Sequence, residues 1–95
     1  MDSNSTNVSK DLYELILNRK ENPVDGSYTN YLFDKGIEKI GKKVGEEAIE
    51  AIISASKGDK ENTIQELADL FYHALVMMAY MGISPEEVDD ELRKR

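Results

Sequence analysis

The sequence predicts an all-α fold, a bundle of about four to five helices, on three observations. Apolar residues recur at helical spacing over long stretches, and short breaks carrying Gly, Pro, Asn or Asp separate those stretches. No segment of any length alternates apolar and polar residues as a half-buried strand would. With 95 residues, the chain is one domain's worth at most.

The polar start, Met1 to Val8, reads as a disordered lead, which leaves residues 9–95 for the domain. "SKDLYELILNRKEN" is the first helix: Ser9 suits the N-cap, Asp11 the first turn, and Leu12, Leu15 and Ile16 form an apolar stripe. "NPVDG" breaks it, because proline restricts the residue before it and glycine ends the stretch. "SYTNYLFDKG" is a short helix from about Thr29, stopped near Gly36. "IEKIGKKVGEEAIEAIISASKGD" is a long amphipathic helix in spite of Gly41 and Gly45. Each internal glycine costs ~1 kcal/mol against alanine, which close approach of another backbone or a ligand would explain. "KGDKEN" is a turn, and Asn62 or Thr63 starts a fourth helix that ends near Gly82. The last helix starts with Ser84 as cap, Pro85 at its first position and acids in its first turn.

Composition removes whole classes of chemistry. There is no cysteine, which excludes disulfides and thiolate metal sites, and the single histidine, His73, excludes a zinc centre of several imidazoles. Carboxylate oxygen is the ligand type left in quantity, and it suits hard cations such as Mg²⁺ or Mn²⁺. With 19 acidic and 12 basic residues the net charge is −7, so neither nucleic acid nor an anionic membrane surface is expected as a partner. No apolar run approaches the ~20 residues of a membrane span. "MDSNSTNVSK" also lacks the charged-then-apolar plan of a signal peptide, so a soluble cytoplasmic protein is the expectation.

The acids are not scattered. At about 100° per residue, Ile37, Ile40, Val44, Ala48, Ala51 and Ala55 gather on one face of the third helix. Lys43, Glu46, Glu47 and Glu50 line one flank of that face. On the fourth helix Ile64, Leu67, Phe71 and Met78 form the core stripe, with Glu66, Asp69 and His73 on its flank. Paired as an antiparallel hairpin across "KGDKEN", the two helices turn these flanks towards each other. So many carboxylates at one seam repel unless cations neutralise them, and a magnesium site does so. E-E-x-x-E alone is most often a solvated face, and Lys43 with Glu47 is also a simple i,i+4 pair worth ~0.3 kcal/mol. His73 alone reads as a structural or outer-shell group. Ile49, Ile53, Tyr72 and Val76 form second apolar faces, which suggest packing on other helices or on another chain.

"GSYTNYLFDKG", "KIGKKVGEEAIEA" and "ELADLFYHALV" together resemble the phosphoribosyl-ATP pyrophosphatase family, all-α nucleotide pyrophosphohydrolases of MazG type. The resemblance runs from about Leu12 to Leu92; the acidic motifs mark only the wider superfamily, and the S-Y-T block marks the family. It implies hydrolysis of the α–β phosphoanhydride of phosphoribosyl-ATP in histidine biosynthesis, Mg²⁺ dependence, and a helical dimer or a dimer of dimers. By position it implies Glu47, Glu50, Glu66 and Asp69 as metal ligands, with Glu46 a further ligand or an outer-shell group. It puts Lys42, Lys43 and Lys35 at the substrate phosphates and Ser27, Tyr28 and Thr29 near the substrate. Glu47 or Glu50 would take the proton of the attacking water. A cyclohydrolase domain of the kind often fused to this activity needs cysteines and length absent here, so a standalone pyrophosphatase is expected.

Two other readings compete. A housecleaning pyrophosphohydrolase of common or damaged nucleoside triphosphates shares the metal logic, and only the S-Y-T block argues against it. A non-catalytic helical dimerisation module would use its acids for solubility, and stabilisation by Mg²⁺ separates it from both enzymes. A di-iron bundle expects two Glu-x-x-His motifs, which one histidine cannot supply.

Overall fold

The computed structural model describes residues 7–95 as five helices, with no strand among them. They are α1 (Val8–Glu21), α2 (Tyr28–Lys35), α3 (Ile37–Ser56), α4 (Lys60–Met81) and α5 (Pro85–Arg93). Of the lead expected over Met1 to Val8, the first six residues lie outside the described chain. Asn7 and Val8 belong to α1: Asn7, not Ser9, is its N-cap, its side chain accepting from the Lys10 N–H at 3.1 Å.

Local chemistry sets the other boundaries. Ser27 caps α2 by accepting from the Asn30 N–H at 3.2 Å, so that helix begins at Tyr28. Gly36 holds φ 85°, a left-handed value that L side chains rarely adopt, and so joins α2 directly to α3. Asp59 caps α4, and Gly82 closes it in the αL conformation. Ser84 and Glu87 form a reciprocal capping box on α5, with Pro85 in its first turn.

The α3–α4 hairpin is the frame, and α1 and α2 pack on it with the most extensive helix contact left to the hairpin itself. The core is Tyr13, Ile16, Leu32, Ile40, Leu75, Val76 and Ala79. Tyr13 donates its hydroxyl to the Ile83 carbonyl at 2.6 Å, and Lys20 donates to the Ala79 carbonyl at 2.9 Å. The second satisfies a carbonyl in the last turn of α4, and the first one just beyond that helix's Gly82 cap. No single helix among the described residues is long and apolar enough to cross a membrane.

Two expected faces are corrected. On α3 the buried positions are Ile40, Glu47, Ala51 and Ser54, while Ile37 and Ala55 are exposed. The inward stripe therefore centres on Glu47 itself and not beside it. On α4 the buried positions are His73, Leu75, Val76 and Ala79, whereas Ile64, Leu67 and Phe71 are 56%, 41% and 65% exposed. Three of the four residues assigned to the core stripe therefore face outward, Met78 alone packs against the core, and Val76, assigned to the second face, is fully buried. The cause is composition: α4 is apolar on nearly every side, so periodicity cannot choose the face that α1 covers.

Candidate metal centre

The hairpin turn, residues 57–59, is short, so α3 and α4 run antiparallel and side by side from it. Glu47 on α3 and Glu66 and Asp69 on α4 each bring a carboxylate oxygen to one point, all within 4.8 Å of one another. Glu47 is only 7% exposed. One oxygen of Glu47 and one of Glu66, the Oε1 atom in each, are buried without a hydrogen-bond partner among the described residues. A buried, unpartnered carboxylate oxygen is costly, and native chains rarely retain one without an ion, a ligand or an ordered water for it. The donor set is all oxygen, which suits a hard divalent cation. Together the three side chains can hold a metal ion.

The electrostatics report the same strain. Glu66 is pushed up to about 7, first by burial, then by hydrogen bonds shared with Glu50 and Glu47 and by their negative charge. A proton thus does in the metal-free chain what a cation would do better. Lys43 lies 3.5 Å from Glu47 Oε2 and 3.7 Å from Glu46 Oε1. Burial pulls its pKa down, but Tyr28, Glu47 and Glu46 outweigh this and leave it raised, so it stays charged.

Of the residues singled out in the sequence, Glu47, Glu66 and Asp69 converge, and Glu50 stands beside Glu66 at the rim. Glu50, Glu66, Ser54 and Asn62 line a cavity of about 240 Å³ next to the cluster. Glu46 turns outward towards Lys43 and is not brought into the group. Lys42 is exposed and lies about 140° round the α3 axis from Glu47, away from the seam. Lys35 sits apart from the carboxylates, 5.7 Å from the centre of the Tyr31 ring.

Tyr28 and Thr29 tie α2 to α4 beside the acids. Ser27 is the helix cap, and the Thr29 hydroxyl is hydrogen-bonded to the Tyr72 hydroxyl. The Tyr28 hydroxyl lies 2.8 Å from His73 Nε2, and His73 Nδ1 lies 2.7 Å from the Asp69 carbonyl. That carbonyl only accepts, so Nδ1 carries the proton and Nε2 accepts from Tyr28. His73 is buried with both ring nitrogens engaged, which makes it a support for the Asp69 turn and not a ligand. Burial raises the Tyr28 hydroxyl pKa; Lys43 works against this, while Tyr72 and Glu47 add to it. Sequence reasoning missed this chain of contacts because Tyr28 and His73 are 45 residues apart. It also missed Asn30, which closes the α1–α2 loop by accepting from the Val24 N–H and donating to the Arg19 carbonyl.

The model of the family described as phosphoribosyl-ATP pyrophosphohydrolase matches residues 9–95. The phosphoribosyl-ATP pyrophosphatase of Clostridium acetobutylicum is 50% identical over 95 residues, 100% of this chain and 84% of that protein. That of Streptococcus thermophilus is 56% identical over 84 residues, 88% of this chain and 81% of that protein. That of Listeria monocytogenes is 56% identical over 85 residues, 90% of this chain and 82% of that protein. A match of this length and identity, on a helical hairpin that gathers three carboxylates, settles the relationship: the chain belongs to the phosphoribosyl-ATP pyrophosphohydrolase family.

Proposed function

We propose that the chain hydrolyses the α–β phosphoanhydride of phosphoribosyl-ATP to phosphoribosyl-AMP and pyrophosphate, the second step of histidine biosynthesis, at the α3–α4 seam. The observation that carries this is the convergence of Glu47, Glu66 and Asp69 with two buried, unpartnered oxygens between them. The names of the relatives support the choice of substrate. Glu47, Glu66 and Asp69 would hold Mg²⁺, or Mn²⁺ in its place, with Glu50 completing the set and Glu46 further out. When bound, the cation neutralises charge on the phosphate chain and lowers the pKa of bound water.

The chain's own residues do the rest. Lys43 keeps its charge and offers the phosphate chain a cation in a protein whose net charge is −7. The water oxygen bonds to phosphorus, the bridging P–O bond breaks, and its electron pair leaves with pyrophosphate. Glu50 takes the water's proton, because Glu47 is buried and already engaged by Lys43. His73 and Tyr28 hold the Asp69 turn in register with α2.

The working unit in this reading is a homodimer, or a pair of them, in the cytoplasm where an ATP-derived substrate is made. Its support is the outward apolar surface of the hairpin: Ile49 and Ile52 on α3 are 59% and 64% exposed, as are Ile64, Leu67 and Phe71 on α4 to the degrees given above. A Cβ on Gly41 or Gly45 would meet nothing within 4 Å among the described residues, so the close approach expected at these glycines is not made within the chain.

Pyrophosphate release tests the proposal, with phosphoribosyl-ATP, ATP and dUTP run in parallel, with and without Mg²⁺. The expected result is Mg²⁺-dependent release from phosphoribosyl-ATP alone. Release from ATP and dUTP instead would make the chain a housecleaning enzyme. Release from none of them would leave a dimerisation module.

A further inference from the structure

We infer that Tyr31, Lys35 and Lys39 form a second substrate-binding subsite, which takes the phosphate of the ribosyl group carried on the adenine. The inference rests on the substrate proposed above and extends it to how that substrate is told from ATP. Three observations carry it.

The first is a pair of like charges at one ring. The ammonium groups of Lys35 and Lys39 lie 5.7 Å and 6.0 Å from the centre of the Tyr31 ring. Neither has a carboxylate within ion-pair distance among the described residues, although acids outnumber bases in the chain. Two cations held at one aromatic ring repel each other, and an anion shared between them removes that cost.

The second is a run of aromatic rings from this pair to the carboxylate cluster. Tyr31 stacks on Tyr28 at 6.1 Å between centres, and Tyr28 on Tyr72 at 6.2 Å. Tyr28 then reaches His73, whose ring supports the Asp69 turn. Tyr28 and Tyr31 are 45% and 42% exposed, so ring surface of both is open to a ligand. Exposed rings of this kind are platforms for a purine.

The third is spacing. Lys39 and Glu47 are eight residues apart on one helix, about 12 Å along its axis. That length suits a substrate with phosphate at both ends and a purine between them. Beside Tyr28 and Tyr31 a cavity of about 350 Å³ is walled by Asp25, Asn30 and Asp34. The carboxylates of Asp25 and Asp34 would accept from ribose hydroxyls and repel phosphate, which directs the distal phosphate to the lysine side. ATP fills only the cluster end of such a site, and phosphoribosyl-ATP fills both ends.

Calorimetric titration of phosphoribosyl-AMP and of AMP into the metal-free chain tests the subsite without turnover. The native chain should bind phosphoribosyl-AMP at least tenfold more tightly than AMP, and Lys35→Gln/Lys39→Gln should erase the preference. In turnover the same variant should raise KM for phosphoribosyl-ATP at least tenfold. Lys10→Gln/Lys94→Gln, with equal loss of charge on exposed residues elsewhere, should leave both quantities unchanged. A preference that survives Lys35→Gln/Lys39→Gln, or an equal effect of the control pair, overturns the subsite. A native chain that releases no pyrophosphate from phosphoribosyl-ATP overturns the function instead, so the two failures are distinct.

Discussion

Glu66 holds a proton at a pH where an ordinary glutamate has lost it. Its pKa is about 7 in the fold against 4.5 in the unfolded chain, with burial the first cause. Between those values the folded chain binds more protons than the unfolded one, so stability falls as pH rises through that window. This contribution is fully present below about 4.5 and gone above about 7. Thermal melts of the metal-free chain should therefore show a midpoint that drops from pH 5 to pH 8. Glu66→Gln, which cannot titrate, should flatten that drop; an unchanged pH slope in the variant would contradict the assignment of the proton. Saturating Mg²⁺ should flatten it as well, because the cation takes over the role of the proton.

At the scale of the helices, the two long ones behave differently. On α3 the charges keep to one side of the helix, so 3.6-residue periodicity and the short turn bring them towards α4, although the inward stripe runs through Glu47 and leaves Glu46 outside. Glu47 with Glu66 and Asp69 was readable for that reason. On α4 the run LFYHALVMMAYM offers apolar residues on almost every side, so the inward face depends on which neighbour covers it. That information sits in α1 and not in α4. The outward residues Ile64, Leu67 and Phe71 then need a different cover, which the proposed dimer supplies. Sedimentation at micromolar concentration should give two or four times the chain mass for the native protein. Leu67→Glu, which plants a charge in that face, should shift it towards a single chain with the helical content kept. A native protein that sediments as one chain would remove the dimer from the account.

The whole molecule is acidic, small and open. Its radius of gyration is 14.5 Å, against about 12 Å for a compact domain of this length. Caps and breakers made the element order readable: Ser84, Pro85, Gly82 and Gly36 all act where their chemistry predicts. Contacts between distant residues were not readable. The Tyr28–His73 bond and the approach of Lys39 to Tyr31 depend on how α2 lies across the hairpin, and no local pattern encodes that angle. Binding of a cation at the cluster is the claim on which the rest depends. Thermal unfolding with and without Mg²⁺, on the native chain and on Glu47→Gln, measures it directly. At a hundredfold excess over Kd, the cation should stabilise the native fold by ~2.7 kcal/mol. For a domain of this size that is a rise on the order of 10–20 °C. Glu47→Gln should show almost none of this rise, while an equal shift in both chains, or none in either, would contradict a metal centre at the α3–α4 seam.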